Sequence, residues 1–520
     1  MNNILIKDIL FGKTDASNEL QEVGNQYFLK SFLPYEKYKI SEFLNGARYY
    51  IIGRKGTGKT ALLKYLECRF AENEENLVIP IRFKSDFDSL DKKKIRTAAI
   101  NVQDEIVDND NGDNSVKSYV IAWKVYLIYL IFKNQESLRN EFVVFDPYTD
   151  QYKTLWTLLK VLYGENDSNK IVPKITKGTV EISADLEKKI SASVKLEIEL
   201  REKEKTVNYE LICKKIIQLY KELIGGINSA YILIDELELS IATKKQRIAD
   251  IELIRDLILA IDALNKISKS QGYNVKIYAS IRSDVLDSAL SSGYEINKCI
   301  EDFGVTIEWF QKGGNYTDNP LLKIVETKIH ASEIAQNVPE SEDVWKKYFD
   351  DRINNIEVRK YILNYSWYRP RDIIRMLLLV QDQCQYGETK INQEKFDRAL
   401  REYSNLMWNE LKEEMALKYS PDDIRAIKRI LNGINVPFTF MSLNTRIDTY
   451  ASMYDYVDAF RKKTKIPEFL EQLFEWGLIG NSGERMVFKF LGYKEIDISK
   501  PMIIHTPLRN FFEVEIGRAH

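Results

Sequence analysis

Apolar residues along the chain fall into short unbroken runs separated by stretches with a helical repeat. Tyr49-Tyr50-Ile51-Ile52-Gly53, LVIPIRF (77–83), AYILIDE (230–236), NVKIYASIR (274–282) and FGVTIEWF (303–310) read as five buried strands. Between them the spacing changes. Leu62, Leu63, Leu66 and Phe70 share one face of ALLKYLECRFA (61–71), and Ile251, Ile254, Ile258, Ile261 and Leu264 share one face of a long helix. Strands alternating with helices predict a doubly wound parallel α/β sheet with right-handed crossovers.

The remaining chain departs from that alternation. Residues 1–45 read as mostly helical, ending in SEFLNG. Residues 85–225 interrupt the α/β pattern with helical stretches near 116–133, 151–163 and 207–224 and a polar loop, DNDNGDN (108–114). Within them, 178–202 alternates apolar and polar positions over two runs, which predicts a hairpin with one solvated face. Residues 320–416 read as helical, and 421–515 as two or three short helices followed by strand-like MVFKFLGY and MIIHTPL. No internal repeat is present in the sequence.

Composition narrows the class. At roughly 100–200 residues per domain, 520 residues make about three domains, and 44% hydrophobic content fills their cores. With 23 Gly and 12 Pro, collagen-like, mucin-like and wholly disordered readings fail. Seventy-five basic residues against 77 acidic leave a net charge of −2, so bulk electrostatics does not drive binding to nucleic acid or membrane. Cys68, Cys213, Cys299 and Cys384 lie far apart with no CxxC pair, and there are three histidines; a zinc knuckle, a disulfide framework and a His-rich metal centre are disfavoured. The N-terminus lacks the apolar core of a secretory signal. The most apolar run, YVIAWKVYLIYLIF (119–132), is short for a bilayer and contains Lys124, so it reads as a buried helix. The expectation is a soluble, reducing, cytoplasmic setting without membrane contact. The ending EIGRAH can be back-translated into a common sequencing-adapter sequence, so 516–520 is treated as a non-native tail.

The chemistry starts at Gly53-Arg54-Lys55-Gly56-Thr57-Gly58-Lys59-Thr60-Ala61, which fits GxxxxGK[ST] at every fixed position. Glycines let successive backbone N–H groups face one anion, and the following helix adds its positive end. Lys59 would neutralise β/γ-phosphate charge and the Thr60 hydroxyl would ligate Mg²⁺. The second half of such a site is an apolar strand ending in Asp235 and Glu236. Ligands gather at the carboxyl ends of parallel strands. Asp235 would hold the Mg²⁺ shell and Glu236 would deprotonate the attacking water, with Glu238 as rival base. Ser280 and Arg282 end the next strand, where either would sense the γ-phosphate. In Ser366-Trp367-Tyr368-Arg369-Pro370-Arg371-Asp372, Pro370 marks a helix start. Arg369, first choice because it precedes the helix with freedom to reach inward, or Arg371 would swing onto the γ-phosphate. For each of these, a solvated strand end or helix start is the alternative.

At these residues the chain resembles the ring-forming and signalling P-loop ATPases: AAA+, origin-recognition-type and STAND proteins. FGKTDASNE, GRKGTGKTALLKYLE, LIDELE and WYRPRDIIR together resemble a bacterial P-loop ATPase family more closely. Its members carry a similar N-terminal helix, Arg-Lys inside the phosphate loop and a winged-helix-like C-terminal region. The resemblance covers most of the chain outside 85–225, and it implies a sensor arginine at Arg369 or Arg371. About 170 residues separate the two nucleotide motifs, far more than in a minimal AAA+ core. There is no LSGGQ-like signature and no NKxD guanine-reading motif, so ATP is the expected nucleotide. The expected organisation is an N-terminal helical segment (1–45), a P-loop core (46–84 and 226–315), an insertion (85–225), a helical lid (316–418) and a winged-helix-like domain (419–515).

The leading functional reading is an ATPase whose nucleotide state controls assembly into a homo-oligomer or an attached output, on DNA or in bacterial defence. A nucleotide-regulated DNA-binding or protein-interaction module without motor activity is the alternative, and a phosphotransferase is a third. DNA contact turns on 421–515. There, FLEQLFEWGLIGN (469–481) would be the last helix of a winged-helix unit, with MVFKFLGY and MIIHTPL framing the wing. Arg461, Lys462, Lys463 and Lys465 form a basic run beside it, but Glu471 and Glu475 oppose phosphate contact. A protein partner or a packing role is the competing reading of this region.

Overall fold

The computed structural model describes residues 4–86, 119–138, 143–163, 175–176, 179–181, 206–237, 244–291, 296–483 and 485–514. The chain forms two compact units. One comprises Glu36–Lys55 and Lys59–Ile307; the other comprises Met1–Tyr35, Gly56–Gly58 and Glu308–His520.

The first unit is built on the five expected strands: β1 (Tyr50–Gly53), β2 (Asn76–Arg82), β3 (Ser229–Leu237), β4 (Val275–Arg282) and β5 (Gly304–Thr306). All pair in parallel, in the order β2-β3-β4-β1-β5. Ile51, Ile232, Ile277 and Tyr278 are fully buried, as strands covered on both faces require. The helix Lys244–Gln271 presents Ile254, Ile258, Ile261 and Leu264 to this core, while Ile251 is half-buried. The apolar run at 119–132 lies in the buried helix Val120–Ser137, whose Trp123 indole donates to the Leu253 carbonyl at 3.0 Å. No helix among the described residues is long and apolar enough to cross a membrane. β5 is shorter than its apolar pattern predicts. Gly304 opens it because a Cβ there would lie 2.4 Å from the Ile300 carbonyl oxygen, and the Ile307 amide bonds Ile52 before the chain leaves the sheet.

Within 85–225, Ile175–Thr176, Thr179–Glu181 and Thr206–Asn208 form a small antiparallel sheet. Most of the hairpin expected at 178–202, and the polar loop at 108–114, lie outside the described residues. All four cysteines are buried and free.

The second unit is helical over 320–416, apart from a ribbon of Arg352–Ile353 with Ile356–Glu357. Four helices follow, Pro421–Leu431, Phe440–Ala451, Asp455–Lys463 and Ile466–Glu475, where two or three were expected. The strands beyond them also differ from expectation. Ile479–Asn481 pairs antiparallel with Met502–Ile504, whereas MVFKFLGY contributes only a bridge at Val487 and a 3-10 turn, Lys489–Leu491. Gly492, at φ +75°, ends that turn, and Phe488 and Phe490 close around the His505 ring at 5.8 and 4.9 Å. MIIHTPL is strand only as far as Ile504. Thr506-Pro507 then starts the helix Thr506–Val514, as Pro in a first turn favours.

Helix Pro320–Ala335 carries a fully buried carboxylate, Glu333. Burial alone would raise its pKa. Donation from Lys347 (2.8 Å), Tyr348 (2.7 Å) and the hydroxyl and amide of Ser341 outweighs burial and holds it at about 2. With the folded value depressed, this stabilisation is present above about pH 4.5 and is lost as pH falls toward 2. Glu333→Gln should therefore destabilise the protein by on the order of 3 kcal/mol at pH 7. It should also flatten the fall in stability between about pH 4.5 and 2. Thermal melts of both proteins across that range check this.

Candidate nucleotide-phosphate site

In the first unit the phosphate-loop sequence begins where β1 ends. Gly53 closes the strand, Arg54 and Lys55 follow, and the helix Lys59–Ala71 contains Lys59, Thr60 and Ala61 in its first turn. Lys59 Nζ donates to the Arg54 carbonyl at 3.0 Å, which keeps the ammonium folded back over the loop.

Parallel pairing brings the other expected residues to the same edge. β1 sets Gly53 opposite Arg282 and Ile51 opposite Ser280. β3 pairs with β4 through Ile234 and Ala279, then slips register before Leu237. Asp235 and Glu236 occupy this irregularity, and such bulges re-aim side chains next to functional sites. Asp235 is buried and accepts a hydrogen bond from the Ser280 hydroxyl. Glu236 sits at φ +58°, a left-handed conformation that costs a non-glycine residue about 1–2 kcal/mol, and accepts from Ser85 Oγ at 2.9 Å. Arg282 forms a two-point pair with Asp284 at 2.9 and 2.8 Å. Ser280 thus orients the Asp235 carboxylate, a role different from the γ-phosphate contact considered for it. Glu238 lies outside the described residues.

Gly56, Thr57 and Gly58 group with the second unit. Gly56 and Gly58 stand at φ +80° and +95°, conformations that side chains disfavour. The Arg371 amide approaches the Gly56 carbonyl at 3.4 Å, and the Trp309 indole donates to the Thr57 carbonyl at 2.8 Å.

The helix Pro370–Asp382 starts in a buried ionic cluster. Arg369 caps it from an extended conformation and bonds both Asp372 oxygens at 2.8 and 3.1 Å. It also lies 3.5 Å from Glu410 and stacks on the Trp367 ring at 4.4 Å. Only 8% exposed, Arg369 lacks the freedom to reach inward that its place before the helix suggests. Arg371 is more open: its Nε donates to the Thr14 carbonyl at 3.1 Å and its Nη1 lies 3.8 Å from Glu410. Arg375 completes the cluster, 2.7 Å from Glu410.

Three contributors escaped the sequence reading. Ser85, Trp309 and Glu410 have no local motif, and each matters only through a partner distant in sequence. The basic run of the C-terminal region, in contrast, is internally paired. Arg461 meets Asp448, Lys462 meets Asp458, Lys463 meets Asp423 and Lys465 meets Glu468, all at 2.6–2.8 Å.

Residues 319–412 match a family model described as a FunZ-associated C-terminal helical domain. That span covers most of the helical region at 320–416. No curated protein matches the chain in sequence. Among solved structures, it is similar to the crystal structure of Cdc6p from Pyrobaculum aerophilum, at 11% identity and a TM-score of 0.34, over 94% of this chain and 95% of that one. A likeness at this score bears no weight for function.

The ionic cluster makes the two arginines unequal. Arg369→Ala removes the two-point partner of the buried Asp372, leaving it only the longer Arg375 contact, and should destabilise by about 3 kcal/mol or more. Arg371→Ala should change stability by less than about 1 kcal/mol. Denaturant titrations of the two variants provide the check.

Proposed function

We propose that the protein binds and hydrolyses ATP with Mg²⁺, and that its nucleotide state controls assembly or an attached output. The observation that carries this reading is the convergence, at one edge of a parallel sheet, of Lys59 and Thr60 after β1 with Asp235 and Glu236 at the end of β3. Lys59 would exchange its loop carbonyl for β/γ-phosphate oxygens. Thr60 and Asp235 offer the hard oxygen donors that suit Mg²⁺. Among the described residues no group of three or more His, Cys, Asp or Glu side chains would hold a metal ion alone. An ion that takes the rest of its shell from phosphate and water does not require one. When bound, Mg²⁺ would neutralise charge on the transferring phosphoryl group.

Glu236 is the base in this reading. Ser85 holds one of its oxygens, which leaves the other to orient water. Arg371 replaces Arg369 as the preferred γ-phosphate sensor, because its guanidinium is the less buried and the less tightly paired of the two. For the C-terminal region we favour a protein partner, including a second copy of the chain, over duplex DNA. Every cation of the Arg461–Lys465 run already carries a carboxylate partner, whereas phosphate binding needs a clustered positive face.

Lys59→Ala should abolish ATP binding and turnover; full ATPase activity in that variant would overturn the assignment. Glu236→Gln should retain ATP while hydrolysis slows by about 10²–10⁴. Arg371→Ala should narrow the preference for a non-hydrolysable ATP analogue over ADP more than it weakens ADP binding itself, because a ligand shifts a conformational equilibrium only through differential affinity. Equilibrium titrations and a phosphate-release assay measure all three. Light scattering of Glu236→Gln with ATP should show a larger assembly than without it, and a strict monomer at every concentration would leave a self-contained switch.

A further inference from the structure

We infer that Trp309 is a positioning residue for the phosphate loop: its indole N–H presets the amides that bind the anion. The inference rests on the nucleotide reading above and assigns to that site a residue outside its sequence motif.

The argument is one of peptide geometry. In a planar trans peptide the C=O of one residue and the N–H of the next point in opposite directions. Whatever holds the Thr57 carbonyl therefore aims the Gly58 N–H the other way, and whatever holds the Gly56 carbonyl aims the Thr57 N–H. Both carbonyls are held from outside the loop. Trp309 Nε1 donates to Thr57 O at 2.8 Å, with both residues buried, and the Arg371 amide approaches Gly56 O at 3.4 Å. The Arg371 amide is one of the first N–H groups of the helix Pro370–Asp382, which have no partner within the helix.

Without such support the loop is poorly determined. Gly56 and Gly58, at positive φ, have wide conformational freedom, and a carbonyl that turned inward would face phosphate oxygens with like partial charge. The indole is itself fixed. Its ring stacks on Tyr35 at 6.0 Å with 17° between planes, and the Tyr35 hydroxyl accepts from Gln311 Nε2 at 2.6 Å. Trp309 is 7% exposed and Thr57 6%, so water competes weakly for this bond.

The test is Trp309→Phe in the full chain, which keeps a stacking ring and removes the N–H. Binding of ADP and of inorganic pyrophosphate, each with Mg²⁺, is measured by calorimetry alongside circular dichroism and thermal melting. Losing one hydrogen bond to the loop should weaken both ligands by the same factor, about three- to tenfold, with the fold intact. Pyrophosphate supplies the readout that a general packing role would not move, since it has no base or ribose. Unchanged affinity for both ligands in the folded variant overturns the inference. So does a loss confined to ADP, which would place Trp309 against the nucleoside. Wild-type protein that binds neither ligand overturns the nucleotide reading and this inference together. If Trp309→Phe does not fold, Tyr35→Leu loosens the indole without removing its N–H. A smaller equal loss for both ligands is then expected, and none at all overturns the proposal.

Discussion

Parallel strand pairing is the constraint on which the candidate site depends. Because β1, β3 and β4 run the same way, the residues that end them collect at one edge without being close in sequence. Gly53 stands opposite Arg282, and Ser280 reaches Asp235, although about 45 residues separate the latter two and over 200 separate the former. Burial of the strand interiors fixes the register. Both faces of these strands are buried, so a slip of one residue would exchange the Ile232, Ile234 and Ile277 side chains between two packed faces and break the fit on each. The polar ends of the strands are therefore positioned by apolar packing several residues away.

The second unit solves a related problem with charge. Arg369, Arg371 and Arg375 share Asp372 and Glu410 around one helix start, and the charge of Glu414 also acts on Arg369. Buried pairs of this kind contribute little net stability against an apolar replacement, but they resist the loss of any one member. Their effect is to specify geometry. Pro370 and the Asp372–Arg369 pair fix where the first turn begins, and so where the Arg371 amide points.

Much of this was legible in the sequence. The five apolar runs, the glycine loop and the carboxylate-ended strand each announce themselves within ten residues, because parallel strands and phosphate loops are dictated by local patterns. The misreadings share a cause: the deciding partner lies outside the local apolar or motif pattern. MVFKFLGY looks like a strand, yet its phenylalanines close around His505 and its pairing position is taken by Ile479–Asn481. Arg369 looks free until Glu410, on the helix Gln393–Met415, is brought beside it. Trp309 reads as one more apolar residue of a strand, and nothing near it marks the Thr57 carbonyl as its acceptor.

Glu236 shows how the local and distant constraints meet. Its left-handed backbone costs about 1–2 kcal/mol that a glycine would avoid, and strain of this kind persists only where its surroundings over-determine it. Two features do so here. The register slip between Ile234 and Leu237 returns the strand to its apolar pairing, with Glu236 at positive φ inside it. Ser85 then accepts the resulting direction by donating to the carboxylate. A glycine at this position would relieve the strain only by deleting the carboxylate that Ser85 holds.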